Sequence, residues 1–129
     1  MESVDKDIPQ SLRKWFVIHF IVDMLFAFPL LFFPEVIMPL LGWKVVDPIT
    51  SRLVGAALLG IGGESLLGRN ANRETFQAML NLKIIWAVGA VIGIGLGIFQ
   101  GGPPLAWAFL GTFAVFLVIW IYYRLQLKD

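Results

Sequence analysis

Four long apolar runs set the strongest limit on what this chain can fold into. They cover residues 15–33, 48–68, 76–99 and 104–123, and each is close to the roughly 20 residues that a helix needs to cross a bilayer. Of the 129 residues, 58% are hydrophobic and only 15% are charged, whereas a soluble domain is about 25% charged. The sequence therefore predicts an all-α membrane protein, a bundle of four transmembrane helices that forms a single domain over residues 1–129.

Proline and polar residues mark where these helices begin and end. Asp47 followed by Pro48 is a good helix start, with an acidic cap before a proline at the first helical position. Asp7 offers a cap for the first run, and Pro29 should kink that run because it removes one backbone hydrogen bond. The stretch 34–46 is too interrupted by proline and glycine to span, so we expect it to be a connector in the outer interface.

Lysine and arginine near the ends of the runs indicate the orientation. They are concentrated before the first run, between the second and third runs, and after the fourth run: Lys6, Arg13, Lys14, Arg69, Arg73, Arg124 and Lys128. The other two connections contain only Lys44. Because cytoplasmic loops carry the excess of positive residues, both termini and the middle loop are predicted to be cytoplasmic.

Several kinds of function find no support in the sequence. The chain has no cysteine, which excludes disulfides and thiol chemistry, and its single histidine leaves a metal site without a second imidazole. A net charge of +1 gives no reason to expect nucleic acid. No glycine-rich phosphate loop and no nucleophile elbow is present. We therefore predict no cofactor, no metal and no nucleic-acid partner, and no catalytic residue can be named.

Small residues at intervals of four suggest how the helices pack. The second run carries Ala56 and Gly60, and the third carries Gly89, Gly93 and Gly97. Membrane helices associate through close packing and polar contacts, since lipid tails are as apolar as leucine. We expect close helix contact along these two stripes, either within the bundle or between copies of the chain.

Four ionisable residues inside the runs form the candidate site: His19, Asp23, Glu64 and Lys83. At about 1.5 Å per residue they lie roughly 6 to 13 Å inside the cytoplasmic boundary. Helical side chains lean toward the amino terminus, so all four can meet in one layer of the inner leaflet. His19 and Asp23 are four residues apart on one helical face, which permits a hydrogen bond. Glu64 continues the Ala56–Gly60 stripe and should face a neighbouring helix.

Three interpretations of this layer stay open. The residues can hold the bundle together, with Asp23 or Glu64 paired to Lys83 and His19 bonded to Asp23. They can form a binding or conduction site that opens to the cytoplasm. They can also form a catalytic site, since histidine beside a carboxylate suits proton transfer. Lys83 could instead reach the inner headgroups, and Arg52 could reach outward near Asp47.

Two segments carry a resemblance to known proteins. The apolar-proline connector from Phe33-Pro34 through Leu41-Gly42 is followed at 52–60 by Arg-Leu-Val-Gly-Ala-Ala-Leu-Leu-Gly. This pattern resembles small prokaryotic four-span membrane proteins, which include DoxX-like proteins and related families without an assigned function. The resemblance implies a multi-pass four-helix bundle in a prokaryotic cytoplasmic, or inner, membrane. Some DoxX-like proteins are membrane subunits of redox complexes, but no catalytic residue carries over to this chain.

The functional prediction is a non-enzymatic integral membrane protein that acts through helix packing. Its partners would be membrane lipid and either further copies of itself or a larger membrane complex. One alternative is a small carrier, or a protein that binds lipid or another hydrophobic ligand at a polar site in the inner half of the membrane. Another alternative is a membrane-embedded acid–base enzyme with a lipid or isoprenoid substrate.

Overall fold

The structure is a computed structural model that describes residues 8–128. Within that range all the regular secondary structure is helical, without a strand, and the all-α prediction is confirmed. The elements are α1 (Gln10–Phe32), α2 (Pro34–Leu40), α3 (Pro48–Leu67), α4 (Arg73–Phe99) and α5 (Ala106–Gln126). The sequence predictions for Lys6 and for Asp7 as a cap lie outside the described residues.

Three of these helices, α1, α4 and α5, are long and apolar enough to cross a membrane. The helix α3 has 20 residues but is not one of them. Its first turns contain Ser51 and Arg52, and its last turns contain Glu64 and Ser65, which lower the hydropathy that its leucines supply. The prediction of a membrane protein therefore rests on three helices, and a fourth span in α3 stays a prediction.

The connector after α1 contains a short helix that the sequence pattern did not suggest. The helix α2 begins with Pro34 at its first position, where the missing N–H costs nothing, and it includes Pro39. It ends before Gly42, whose φ of 105° is readily adopted only by glycine. Seven residues extend about 10 Å, so α2 is too short to cross a bilayer.

The chain comprises two compact units, which meet in sequence at Arg73 and Glu74. In the first unit α1 and α3 pack antiparallel. Arg13, near the start of α1, contacts Arg69 just after α3, and Leu31, near the end of α1, contacts Arg52 near the start of α3. A Cβ at Gly55 would lie 3.0 Å from the carbonyl oxygen of Ala27 and 3.0 Å from the amide nitrogen of Leu31. The two backbones therefore nearly touch at this point.

The face of α3 against α1 repeats at alternating intervals of four and three. Its buried residues are Ser51, Gly55, Leu58, Gly62 and Ser65. Steps that alternate between four and three residues have an average of 3.5 residues. This average is close to the 3.6 residues of a helical turn, so the buried residues stay on one side of α3. Most of these residues are small, so α3 can approach α1 closely along its whole length.

The stripe predicted on α3 does not make this contact. Ala56 and Gly60 are exposed, and a Cβ added at Gly60 would have no atom within 4 Å. Constant intervals of four drift by about 40° per step around a helix, so a stripe with that spacing leaves the packed face. Cβ atoms at Gly89, Gly93 and Gly97 of α4 would likewise meet nothing within 4 Å. The glycines of α4 therefore make no close contact inside the second unit, and contact between copies stays a prediction.

In the second unit α4 and α5 form an antiparallel hairpin. A tight turn joins them, with Gly101 at a φ of 91° and the Gly102 N–H donating to the Gly97 carbonyl at 2.9 Å. The side-chain contacts between the two helices follow one another in antiparallel order: Gln77 with the Leu127 carbonyl, Asn81 with Arg124, Lys83 with Trp120, and Trp86 with Phe113. Large aromatic side chains, not glycines, fill this interface.

Asp47 caps the amino terminus of α3, which confirms the predicted helix start. Its Oδ1 accepts from the Ile49 N–H at 3.0 Å, and its Oδ2 accepts from the Thr50 hydroxyl at 2.6 Å. The hydrogen bond from the Thr50 side chain, followed by that from the Thr50 N–H, holds the pKa of Asp47 below its ordinary value of 3.8. The ionised cap therefore stabilises the start of α3.

This cap makes the free energy of unfolding pH-dependent at acid pH. Since the folded pKa of Asp47 is lowered, its contribution is present above the unfolded pKa and is lost as the pH falls through the folded value. Asn caps helices about as well as Asp but does not titrate. We expect Asp47→Asn to abolish this part of the acid loss, measured by unfolding in mixed micelles between about pH 6 and about pH 2. Equal pH profiles for wild type and variant would contradict the assignment.

The close contact at Gly55 predicts a sharp difference between two glycines of one helix. Gly55→Ala should lower the free energy of unfolding by about 1–3 kcal/mol, because the new methyl group would meet backbone atoms that cannot move aside. Gly60→Ala makes the same change in helix propensity but meets open space, so it should be neutral or stabilise by up to about 1 kcal/mol. Unfolding of both variants in mixed micelles tests this. Equal effects would show that the backbones are not in contact there.

Candidate functional site

A buried polar cluster, His19, Asp23 and Ser65, lies between α1 and α3 and is called the α1–α3 polar cluster below. His19 and Asp23 are on the buried face of α1, where residues recur at intervals of three and four, and they are 3% and 5% exposed. His19 Nε2 lies 3.3 Å from Asp23 Oδ1. The contact that the i, i+4 spacing permits is thus made, and it is made on the side of α1 that faces α3.

Ser65 completes the cluster from α3 and was not singled out in the sequence. Its hydroxyl oxygen lies 3.0 Å from the Ile61 carbonyl oxygen and 3.4 Å from His19 Nδ1. A carbonyl can only accept, so at the shorter distance the Ser65 proton points to Ile61. The contact with His19 Nδ1 is the longer of the two, and its donor depends on the tautomer of the imidazole. The sequence signal was available, because Ser65 follows Gly55, Leu58 and Gly62 in the four-three alternation.

The His19–Asp23 contact lies in α1, which is long and apolar enough to cross a membrane. Ionisable groups inside membrane helices pair with one another or with backbone carbonyls, and this pair follows that rule. Gly62 is needed beside it, because a Cβ there would lie 2.6 Å from Asp23 Cβ.

The cluster contains the residue types of a Ser-His-Asp triad but not its chemistry. In a triad the serine gives its proton to the imidazole, which is the general base. Here Ser65 donates to the Ile61 carbonyl at 3.0 Å, and its side chain is fully buried. The arrangement cannot present an activated hydroxyl to a substrate, so it fits a contact between helices better than an acid–base site.

Two arginines extend the polar contacts to both ends of the α1–α3 pair. Arg13 Nη1 donates to the Arg69 carbonyl at 2.8 Å and to the Ala71 carbonyl at 3.4 Å, just beyond the end of α3. At the other end Arg52 Nε donates to the Leu31 carbonyl at 3.0 Å, near the end of α1. Cations at helix carboxyl termini also offset the helix dipole. The sequence analysis expected Arg52 to reach outward near Asp47, and it did not predict the hydrogen bond to the Leu31 carbonyl.

Glu64 does not join the α1–α3 polar cluster. It is exposed, on the side of α3 roughly opposite the face that packs on α1. The sequence analysis placed Glu64 at the same depth as His19 and Asp23. The depth of a residue along the helix axis does not determine the direction in which its side chain points around that axis. The neighbouring Ser65, one residue later and about 100° further round, occupies the position beside His19.

Lys83 contacts an aromatic ring of the second unit. It is 2% exposed, and its Nζ lies 4.9 Å from the centre of the Trp120 ring, which is the geometry of a cation–π contact. Asn81, two residues earlier, points elsewhere and accepts from Arg124 Nε at 2.8 Å. The predicted layer that joins Lys83 to His19 and Asp23 stays a prediction. Within residues 8–128 no three His, Cys, Asp or Glu side chains form a group that could hold a metal ion.

The pairing of His19 and Asp23 predicts non-additive mutations. His19→Ala or Asp23→Ala alone leaves a buried polar partner without its bond, which costs more than the bond itself contributes. We expect the double variant to lose less free energy of unfolding than the sum of the two single losses, by about 0.5–3 kcal/mol. The measurement is a double-mutant cycle in mixed micelles. Additive losses would mean that the two side chains do not interact.

Comparisons with protein-family models, with curated proteins and with solved structures find no match to this chain. The resemblance to DoxX-like proteins therefore stays a prediction from the two segments that carry it. What can be said of function has to come from the geometry of the helices themselves.

Proposed function

We propose that this chain is a non-enzymatic, four-span component of a prokaryotic cytoplasmic membrane. It acts by packing its helices against other membrane-embedded chains, as a homo-oligomer or as a subunit of a larger assembly. The observation that carries this proposal is the open glycine stripe of α4. Gly89 and Gly93 are exposed, and a Cβ on either would meet no atom of residues 8–128 within 4 Å.

This stripe is suited to contact with another helix. On the lipid-exposed side of a membrane helix, glycine removes side-chain volume and lets a second backbone approach closely. The same face of α4 carries exposed Ile92 and Leu96, which can pack around the glycines. Within the first unit a glycine already allows such a close approach, because Gly55 of α3 lies against the backbone of α1. A glycine surface of the same kind that stays open within the second unit favours a partner.

The packing of α3 supports a fourth span. Its 20 residues extend about 30 Å, the thickness of a hydrocarbon core. It lies antiparallel to α1 from the level of His19 to the level of Leu31. If α1 crosses the bilayer, a helix packed along that length crosses with it, and its polar residues Ser51 and Ser65 face α1 and not lipid. With four spans, the distribution of lysine and arginine puts both termini in the cytoplasm.

The state of the α1–α3 polar cluster supports a non-enzymatic function. Its three side chains bond to one another and to the helix backbone, and all are buried. Glu64, the second carboxylate that a catalytic or carrier site was expected to use, lies on the other side of α3. A structural contact needs no route for a substrate to reach His19.

Filling the α4 stripe tests the proposal. We expect Gly89→Leu with Gly93→Leu to weaken association of the chain about tenfold or more, because leucine keeps the partner backbone at a distance. Gly111→Leu on α5 is the matched control, since that glycine is also exposed with no atom within 4 Å of its Cβ position. The measurements are energy transfer between labelled copies in vesicles and native electrophoresis of the complex from cell membranes.

Two results would overturn the proposed function. One is a wild-type chain that is monomeric in vesicles and enters no larger complex in native membranes. The other is a complex that the α4 double variant and the Gly111→Leu control affect equally. The control separates a specific surface from a general effect of added volume.

A further inference from the structure

Arg124, in the last turn of α5, is held by a side chain of the neighbouring helix. Its Nε donates to Oδ1 of Asn81 on α4 at 2.8 Å. One turn away on α4, Gln77 Nε2 donates to the Leu127 carbonyl just after α5, so the two helix ends are joined at two levels. All four residues belong to the second unit. The position of the guanidinium is therefore determined inside this unit, by two helices together.

The bond to Asn81 leaves the outer edge of the guanidinium available. Among residues 8–128 the Nε contact is the only hydrogen bond or ion pair that Arg124 makes. Its two terminal nitrogens carry four N–H donors in one plane, and such a fork matches two oxygens of a phosphate. Because Asn81 already orients the guanidinium, less conformational entropy is lost when a ligand binds the fork.

The surroundings place this fork at the level of lipid headgroups. The helix α5 is long and apolar enough to cross a membrane, and Arg124 lies in its last turn. Tyr122 is 56% exposed and its hydroxyl accepts from Gln126, as expected of a tyrosine at the boundary between hydrocarbon and headgroups. One turn deeper, Ile121 on α5 and Ile85 on α4 are exposed. A phospholipid can therefore place its phosphate at the fork and its acyl chains along these isoleucines.

The charge near the fork favours an anionic lipid over a zwitterionic one. Glu74 is the only acidic residue in the range 74–128, and it is seven residues from Asn81, about 10 Å along α4. No carboxylate of this range therefore lies close enough to compete for the fork. Phosphatidylcholine would bring its own cation next to the guanidinium, whereas the headgroup of phosphatidylglycerol has no cation. Basic sites between membrane helices are suited to anionic headgroups for this reason.

We propose that Arg124, oriented by Asn81, binds the phosphate of an anionic phospholipid such as phosphatidylglycerol at the end of the α4–α5 hairpin. Arg124 supplies the fork, and Asn81 is a positioning residue that determines its direction. This inference rests on the membrane location in the proposed function. It uses the end of the hairpin, whereas the test of the proposed function uses Gly89 and Gly93 in the middle of α4.

Competition between two lipids tests the site. The full chain in detergent micelles receives equal amounts of phosphatidylglycerol and phosphatidylcholine, and native mass spectrometry measures the lipid that stays bound. We expect the wild type to retain phosphatidylglycerol about tenfold over phosphatidylcholine, because only the first lipid leaves the guanidinium without a second cation beside it.

Four variants locate the preference. Arg124→Gln should abolish it, and Arg124→Lys should lose most of it, because lysine keeps the charge but has no planar fork. Asn81→Ala keeps the arginine but frees its side chain, so it should also weaken the preference. Lys14→Gln is the control, since it removes one positive charge from an exposed position of the first unit and should leave the preference unchanged. Equal retention of phosphatidylcholine by all variants shows that the fold is kept.

Each of the following results would overturn the inference. Wild type retains the two lipids equally, or Lys14→Gln reduces the preference as much as Arg124→Gln, which would assign it to overall charge. Arg124→Lys and Asn81→Ala both keep the full preference, which would show that no oriented fork is needed. Inorganic phosphate, added at matched ionic strength, displaces phosphatidylglycerol, which would assign the fork to a soluble phosphate.

Failure of this inference and failure of the proposed function are distinguishable. Loss of lipid preference with intact association would remove the site at Arg124 and leave the proposed function, whose test depends on Gly89 and Gly93. A monomeric chain that still prefers phosphatidylglycerol would have the opposite meaning.

Discussion

The close approach of α3 to α1 is the contact on which the first unit depends. At Gly55 the two backbones are so near that a methyl group on α3 would meet backbone atoms of α1, and at Gly62 it would meet Asp23. This proximity brings Ser65 within reach of His19 and covers the His19–Asp23 pair. A larger residue at either glycine would separate the helices and expose ionisable groups to lipid, where their cost is highest.

Charged and polar side chains inside the two units have partners close by. His19 lies against Asp23, Arg13 and Arg52 donate to carbonyls at helix ends, and Lys83 lies over an aromatic ring. Each of these contacts is made within one unit. In the α1–α3 polar cluster the Ser65 hydroxyl donates to the Ile61 carbonyl, whereas the serine of a catalytic triad gives its proton to the imidazole.

One surface of the second unit is not used for packing inside that unit. There the glycines of α4 leave room for another backbone. In water these would be ordinary exposed positions. In a membrane, where association depends on close packing and polar contacts, they are the places at which another helix gains most. This is why the proposals for function concern partners and not substrates.

The sequence by itself determined the helical class, the start of α3 at Asp47 and the pairing of His19 with Asp23. These depend on local chemistry: apolar run length, a cap with its proline, and two side chains one turn apart. Only the tertiary structure decided which small residues pack, that Ser65 and not Glu64 stands beside His19, and that Arg13 binds the loop after α3. Those choices depend on the direction of a side chain around its helix, and each helix here is apolar on nearly every side. Without an apolar–polar contrast the sequence carries no marker of the inward face, and the face is chosen by the neighbouring helix.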